Sequence, residues 1–199
     1  MPSPKPRPDM LNEQERQILL QVASASVRHG LVSGQPLPVE PEDYAGPLAK
    51  PGACFVTLEI AGRLRGCIGS LEAVRPLAQD CAANAFAAAF RDFRFPPVAE
   101  HELEQLEYHV SVLGVPAPMH FRSEDDLLSQ LRPGIDGLVL VQGERRATFL
   151  PSVWESLPLP QDFLRHLKQK AGLAPEYWSD SIQAFRYTAE SVRSMDQHH

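Results

Sequence analysis

A thiol and two guanidinium groups crowd into one short run, Arg63-Leu64-Arg65-Gly66-Cys67-Ile68-Gly69. The run reads as the second strand of a hairpin that begins at Cys54 and turns at Ala61-Gly62. Side chains alternate between the faces of a strand, so Arg63, Arg65 and Cys67 are predicted on one face. Leu64 and Ile68 are predicted on the other, turned into a core. A guanidinium beside a thiol favours the thiolate, the nucleophilic form. Cys67 is therefore a candidate catalytic nucleophile, and a small buried apolar residue is the competing reading of the same position. Gly66 and Gly69 remove side chains where a backbone or a ligand must approach closely. Cys54 and Cys81 lie among apolar neighbours and read as core.

Other residues able to serve that strand lie further along. Asp92 and Arg94 alternate across a turn, where they either close over Arg65 and Cys67 or pair with each other and fix the turn. Glu72 follows the strand and either orients Arg65 or a ligand amine, or is a solvated loop carboxylate. His109 and Ser111 share a strand face. A Cys67 and His109 pair would be the simplest nucleophile and base, a pairing that spacing alone does not establish. Arg145-Arg146 reads as a solvated hairpin tip, and Trp154 and Trp178 either wall a pocket or belong to a core. Neither a glycine-rich phosphate loop nor zinc-type spacing nor a glutamate-rich metal motif is present, and no cofactor is indicated.

The elements that must position these residues are marked by period and punctuation. A helix starts at Asn12, where Asn12 and Glu15 have the spacing of a capping pair, and is predicted to end at His29-Gly30. A proline-rich loop runs to Pro51. After the hairpin come an alanine-rich helix over 77–90, a short helical turn near Glu102, and an alternating strand over 107–113. Then follow a capped helix over 123–131, a hairpin over 137–150, a helix over 162–170 stopped by Gly172, and a last strand over 184–192. Hairpins mixed with helices imply an α+β fold, either a largely antiparallel sheet or a barrel-like core. The order hairpin, helix, strand occurs twice, without residue-level identity between the halves.

The 199 residues are enough for one well-buried domain, predicted over 10–195, and 43% hydrophobic with 22% charged residues is ordinary globular composition. Residues 1–9, with Pro2, Pro4, Pro6 and Pro8, read as a flexible arm, and 196–199 as a frayed end. Nineteen Lys and Arg against 25 Asp and Glu give a net charge of -6, which argues against nucleic acid and anionic lipid as partners. Residues 1–30 lack a signal-type apolar stretch, and no run approaches membrane-spanning length. Three cysteines, odd in number, suit free thiols in a reducing compartment, so the expected location is the cytoplasm.

The run Leu64 to Gly69, with Arg75-Pro76-Leu77, Ala88 to Phe90, Asp92, Arg94-Phe95-Pro96-Pro97, Ser111-Val112-Leu113, Gly137-Leu138, Phe149-Leu150-Pro151 and Lys170-Ala171-Gly172-Leu173, resembles the AMMECR domain family, also called AmmeMemoRadiSam system protein A. The six-residue run is that family's signature and stands here intact. One departure is Asp92-Phe93-Arg94-Phe95 where the family usually has Asp-Pro-Arg-Phe. The resemblance implies an α+β fold of two similar strand-helix halves with a cleft near the signature. It also implies association with a Memo-like protein, itself similar to extradiol dioxygenases, and with a radical SAM protein. It implies no reaction, since the family's biochemical activity is not established. Two functions stay open: an accessory component that binds an unknown small-molecule ligand or a partner through Arg65, Gly66, Gly69, Glu72, Asp92 and Arg94, and a Cys67-dependent enzyme acting on an anionic small molecule.

Overall fold

In the computed structural model, which describes residues 11–194, helix α1 (Glu13–Ser33) opens on a reciprocal cap. The Asn12 side chain accepts from the Glu15 N–H at 2.8 Å, and the Glu15 carboxylate accepts from the Asn12 N–H at 2.8 Å. The helix runs past Gly30, its predicted end, and stops at Gly34, which takes the left-handed conformation. Gly30 is instead a packing position: a Cβ there would meet the Phe86 ring at 2.5 Å and the Phe90 ring at 2.7 Å. The expected arm at 1–9 and the expected frayed end at 196–199 lie outside the described residues.

The proline-rich loop contains two short 3-10 turns, Pro41–Asp43 and Gly46–Ala49. Strand β1 (Pro51–Gly52) follows, then the predicted hairpin β2 (Cys54–Ile60) and β3 (Arg63–Gly69), then β4 (Arg75–Pro76) and α2 (Leu77–Phe90). A 3-10 turn, Glu100–Gln105, leads into β5 (Leu106–Leu113). Next come β6 (Ala117–Pro118), α3 (Glu124–Gln130), the second hairpin β7 (Gly137–Gln142) and β8 (Arg145–Phe149), α4 (Pro160–Lys170), β9 (Gln183–Tyr187) and β10 (Ala189–Arg193).

The chain divides into two compact units, one holding the described residues up to Leu113 and from Glu190 onward, the other Gly114–Ala189. The first contains a sheet of order β10-β5-β2-β3, the second a sheet of order β6-β9-β7-β8, and β1 pairs with β4 separately. In both larger sheets the first strand of the hairpin pairs antiparallel with the later strand that returns beside it, β2 with β5 and β7 with β9. The repeated order of elements thus builds the same strand order twice. Both sheets are open, so the fold is α+β and the barrel-like alternative does not form. The single strand predicted over 184–192 is two strands in different sheets. Apolar and polar residues alternate straight through the break, so local pattern carries no sign of it, and the Thr188 carbonyl at the break accepts from the Gly114 N–H at 2.7 Å.

In the first unit Cys54, Val56 and Leu58 of β2 alternate inward and meet the alanines of α2 with Leu19, Val22 and Val27 of α1. Alanine allows that close approach without cost to the helix. In the second unit Leu138 and Leu140 pack with Leu127, Phe163, Leu164 and Leu167. Trp154 stacks on Phe163 at 3.8 Å between centroids, and its indole N–H donates to the Asp136 carbonyl at 2.7 Å. Trp154 belongs to the core, and Trp178, half-buried, packs against the same cluster. Arg145, at the hairpin tip, donates to the Gly172 carbonyl. Among the described residues no helix is long and apolar enough to cross a membrane.

Candidate functional site

Strand β2 lies between β3 and β5, and its register fixes what stands beside the signature cysteine. Thr57 is opposite Cys67 on one side and His109 on the other, Phe55 is opposite Gly69 and Ser111, and Glu59 is opposite Leu64 and Glu107. Residues in register share a face. The face away from Val56 and Leu58 therefore carries Cys67, Thr57 and His109 as one row, all half-buried. The Thr57 hydroxyl donates to the Cys67 sulfur at 3.2 Å. The His109 Nε2 lies 3.5 Å from a Glu59 carboxylate oxygen. Cys67 and His109 are thus brought to one face, but a whole strand separates them, roughly 9–10 Å between backbones. The thiol's hydroxyl partner is Thr57, and the imidazole turns to Glu59.

Arg65 is placed differently from its prediction. The register slips between Leu58 and Glu59: Leu58 opposes Gly66 while Glu59 opposes Leu64, leaving Arg65 as the extra residue of a β-bulge. Leu64 consequently leaves the core side and is 42% exposed, and Arg65 drops out of strict alternation with Cys67. The Arg65 Nε and Nη2 donate to the two oxygens of Glu102 at 2.8 and 3.0 Å. Glu102 also accepts from the Ala99 N–H at 2.8 Å. Arg65 holds the Glu102 carboxyl below its ordinary range, with the Ala99 N–H assisting against burial. Both side chains are largely buried, so this fork ties the turn that feeds β5 to the signature strand.

Asp92 and Arg94 form one unit with Cys67. Strand β3 is the edge of its sheet, and its outward N–H groups have no partner strand. The buried Asp92 supplies one: its Oδ2 accepts from the Cys67 N–H at 3.0 Å. Arg94 grips the same carboxylate through Nε at 3.0 Å, Nη2 at 2.7 Å and its own N–H at 3.2 Å. The Arg94 guanidinium holds the Asp92 carboxyl far below its ordinary range, and the Cys67 N–H adds to this while burial opposes it. Asp92 raises Arg94 in turn, and Cys67 contributes in the same direction. The guanidinium tied to Cys67 is therefore Arg94, through the carboxylate that also accepts from the Cys67 N–H. Phe93, where the family has proline, is almost wholly exposed, and the Asp92 to Arg94 bonds hold the turn without proline's rigidity.

Both signature glycines are accounted for by packing. A Cβ on Gly66 would meet the Ala88 carbonyl oxygen at 2.0 Å, and one on Gly69 would meet the Phe55 ring at 2.1 Å. Glu72 is exposed on the loop between β3 and β4, and its carbonyl accepts from the Val74 N–H at 3.1 Å.

Beneath the signature strand lies a polar lock that carries no motif. Asp80, fully buried, accepts from the Cys54 N–H at 2.9 Å, the Ser70 hydroxyl at 2.8 Å, the Arg75 Nε at 2.8 Å and the Asn84 amide at 3.0 Å. Asn84 also donates to the Cys54 carbonyl at 2.9 Å, so β2, β3, β4 and α2 are joined at one point. The sequence signal is a carboxylate and an amide four apart on the buried side of an alanine-rich helix. Cys54 and Cys81 are buried with it, and the Cys81 thiol together with burial pushes the Cys54 thiol well up. Thr57, Glu59 and Glu107 likewise escape motif reading. Their signal is polar residues two apart in strands whose intervening residues are apolar, which places them beside His109 only once the register is known.

The model of the AMMECR1 family matches residues 20–192. A protein of Methanothermobacter thermautotrophicus is 34% identical over 186 residues, covering 90% of this chain and 94% of its own length. One from Thermotoga maritima is 37% identical over 176 residues, covering 87% and 94%. The crystal structure of the uncharacterized protein PH0010 from Pyrococcus horikoshii superposes with a TM-score of 0.83 at 28% identity, covering 91% of this chain and 92% of that one.

Proposed function

This chain belongs to the AMMECR1 family, and from that premise we propose that it is an accessory binding component: the face bearing Thr57, Cys67 and His109 holds a small polar molecule. The observation that carries the reading is the placement of the Thr57 hydroxyl between thiol and imidazole. A cysteine is made nucleophilic by a base within hydrogen-bond reach or by an uncommitted cation beside it, and here the imidazole faces Glu59 while the Arg65 charge is taken up by Glu102. Hydroxyl, thiol and imidazole in one half-buried row offer hydrogen bonds to a ligand without a committed proton path. The family's association with Memo-like and radical SAM proteins supports a place in their shared pathway. A second reading, Cys67 as the nucleophile of an enzyme acting on an anionic small molecule, draws on one observation, the Asp92 carboxylate that ties Arg94 to the Cys67 backbone.

The test uses Cys67 as its own reporter. Alkylation of each cysteine by iodoacetamide is followed by peptide mass spectrometry, with and without size-fractionated small-molecule extract of the source cells. The binding reading expects one fraction to slow Cys67 several-fold and to raise the melting temperature of both the native protein and Cys67→Ser. Buried Cys54 and Cys81 should stay unreactive until unfolding. If the fraction stabilises the native protein but leaves Cys67→Ser unmoved, the covalent reading replaces this one. If no fraction protects Cys67, the face is not a ligand site.

A further inference from the structure

We infer that Glu59, Glu107 and His109 form a binding site for a divalent transition-metal ion, with Zn2+ as its probe. Glu59 and Glu107 are directly opposite each other on β2 and β5, and His109 is two residues along β5 on the same face. Like charges directly opposite across a strand pair destabilise a sheet. Among the described residues no lysine or arginine is paired with either carboxylate, and the group beside Glu59 is the His109 imidazole. Something must compensate two half-buried carboxylates facing each other, and a cation held between them does so.

The His109 to Glu59 distance suits ligation better than a hydrogen bond. At 3.5 Å, His109 Nε2 and Glu59 Oε2 are beyond a good N–H to O bond, which lies near 2.9 Å. Two ligands each about 2.1 Å from one tetrahedral ion stand roughly 3.4 Å apart. One donor atom from each of the three residues falls within 4.8 Å of the others, a spread a single ion can span with small rotamer changes. Because Glu59, Glu107 and His109 come from two strands locked in register, the backbone does not have to move to gather them.

The donor set also selects the ion. Two carboxylates and one imidazole are a mixed oxygen and nitrogen set, which suits Zn2+, Fe2+, Co2+ or Mn2+, whereas Ca2+ and Mg2+ take oxygen. Two carboxylates and a neutral imidazole balance a divalent charge. Three protein ligands leave a coordination position for water or a small molecule, the arrangement of open rather than structural sites. The site adjoins the row that bears Thr57 and Cys67, since His109 stands opposite Thr57. The metal site stands on its own geometry and does not depend on the small-molecule reading.

The experiment is a calorimetric titration of Zn2+ into the full chain, reduced with a phosphine and first stripped with a chelator. One equivalent should bind at ~100 µM metal or below, and Glu59→Gln, Glu107→Gln and His109→Gln should each weaken it at least about 10-fold. Cys67→Ser should leave the affinity within about threefold. Glu107→Gln should bind less metal yet unfold at a urea midpoint no lower than the metal-free native chain, because it removes a like-charge pair. A purely structural role for these side chains would lower that midpoint instead, and so would overturn the proposal. So would the absence of saturable binding, or binding that survives all three ligand variants, which would put the ion elsewhere, for example on His198 and His199. Co2+ provides a second readout: ligand-field bands lost in His109→Gln support the assigned set, and an intense thiolate band refutes it.

Discussion

Replacing Asp92 by asparagine should separate the architectural role of this carboxylate from any role in ligand recognition. Asp92 accepts from the Cys67 N–H and from three groups of Arg94. An asparagine can keep its oxygen toward the Arg94 N–H and Nε, but its amide NH2 then faces two donors, the Cys67 N–H and the Arg94 Nη2. The stranded Cys67 N–H costs about 1–3 kcal/mol, the usual penalty for a polar group left unmatched at a buried position. Arg94 is 48% exposed in its side chain, so water replaces most of what it loses and its share is only about 0–1 kcal/mol. The sum is roughly 1–4 kcal/mol, which at a urea slope of about 2 kcal/mol per molar lowers the midpoint by roughly 0.5–2 M. Arg94→Ala keeps the Asp92 bond to the strand but leaves a buried carboxylate without its cation, so at pH 7 it should cost a comparable amount. The pH dependence follows from the lowered carboxyl of Asp92. Since its folded value lies below its unfolded one, the extra stability is complete above the ordinary aspartate range near 4 and is lost as pH falls through the folded value. Urea curves of the native chain, Asp92→Asn and Arg94→Ala at pH 7 and near pH 3 test this. The reasoning fails if Arg94→Ala is without cost at pH 7, or if the gap between the native chain and Asp92→Asn does not narrow in acid.

Gly66→Ala should be worse than Gly69→Ala. The first drives a Cβ into the backbone carbonyl of Ala88, which no rotamer relieves, whereas the second meets the Phe55 side chain, which can turn. Overpacking costs about 1–3 kcal/mol, and Gly66→Ala should sit at or beyond the top of that range. Soluble yield and urea midpoint give the order, and the reverse order contradicts the packing account. Arg65→Lys should lower stability by about 1–3 kcal/mol, since an ammonium cannot reproduce the two-pronged bond to Glu102. A double-mutant cycle with Glu102→Gln should return most of that as coupling, and additive losses would show that the fork is not what Arg65 contributes.

Much of this protein is written locally. The capping pair at Asn12 and Glu15, the glycines at Gly62 and Gly143, the serine cap of α3 and the period-two runs of β2 and β5 each depend on residues a few positions apart, and each formed where the pattern put it. The α+β class follows from their order, and the unbroken signature carried the family. What the site does was decided at longer range. Arg65 finds Glu102 and Cys67 finds Asp92 across tens of residues, and the bulge that re-aims Leu64 exists only in the pairing of two strands. The break at Thr188 is invisible because a strand has the same alternation whichever sheet it joins. Thr57, Glu59, Glu107 and His109 show the division most plainly: alternation fixes the face each side chain takes, but only register, set by turn, bulge and core packing together, decides which of them meet.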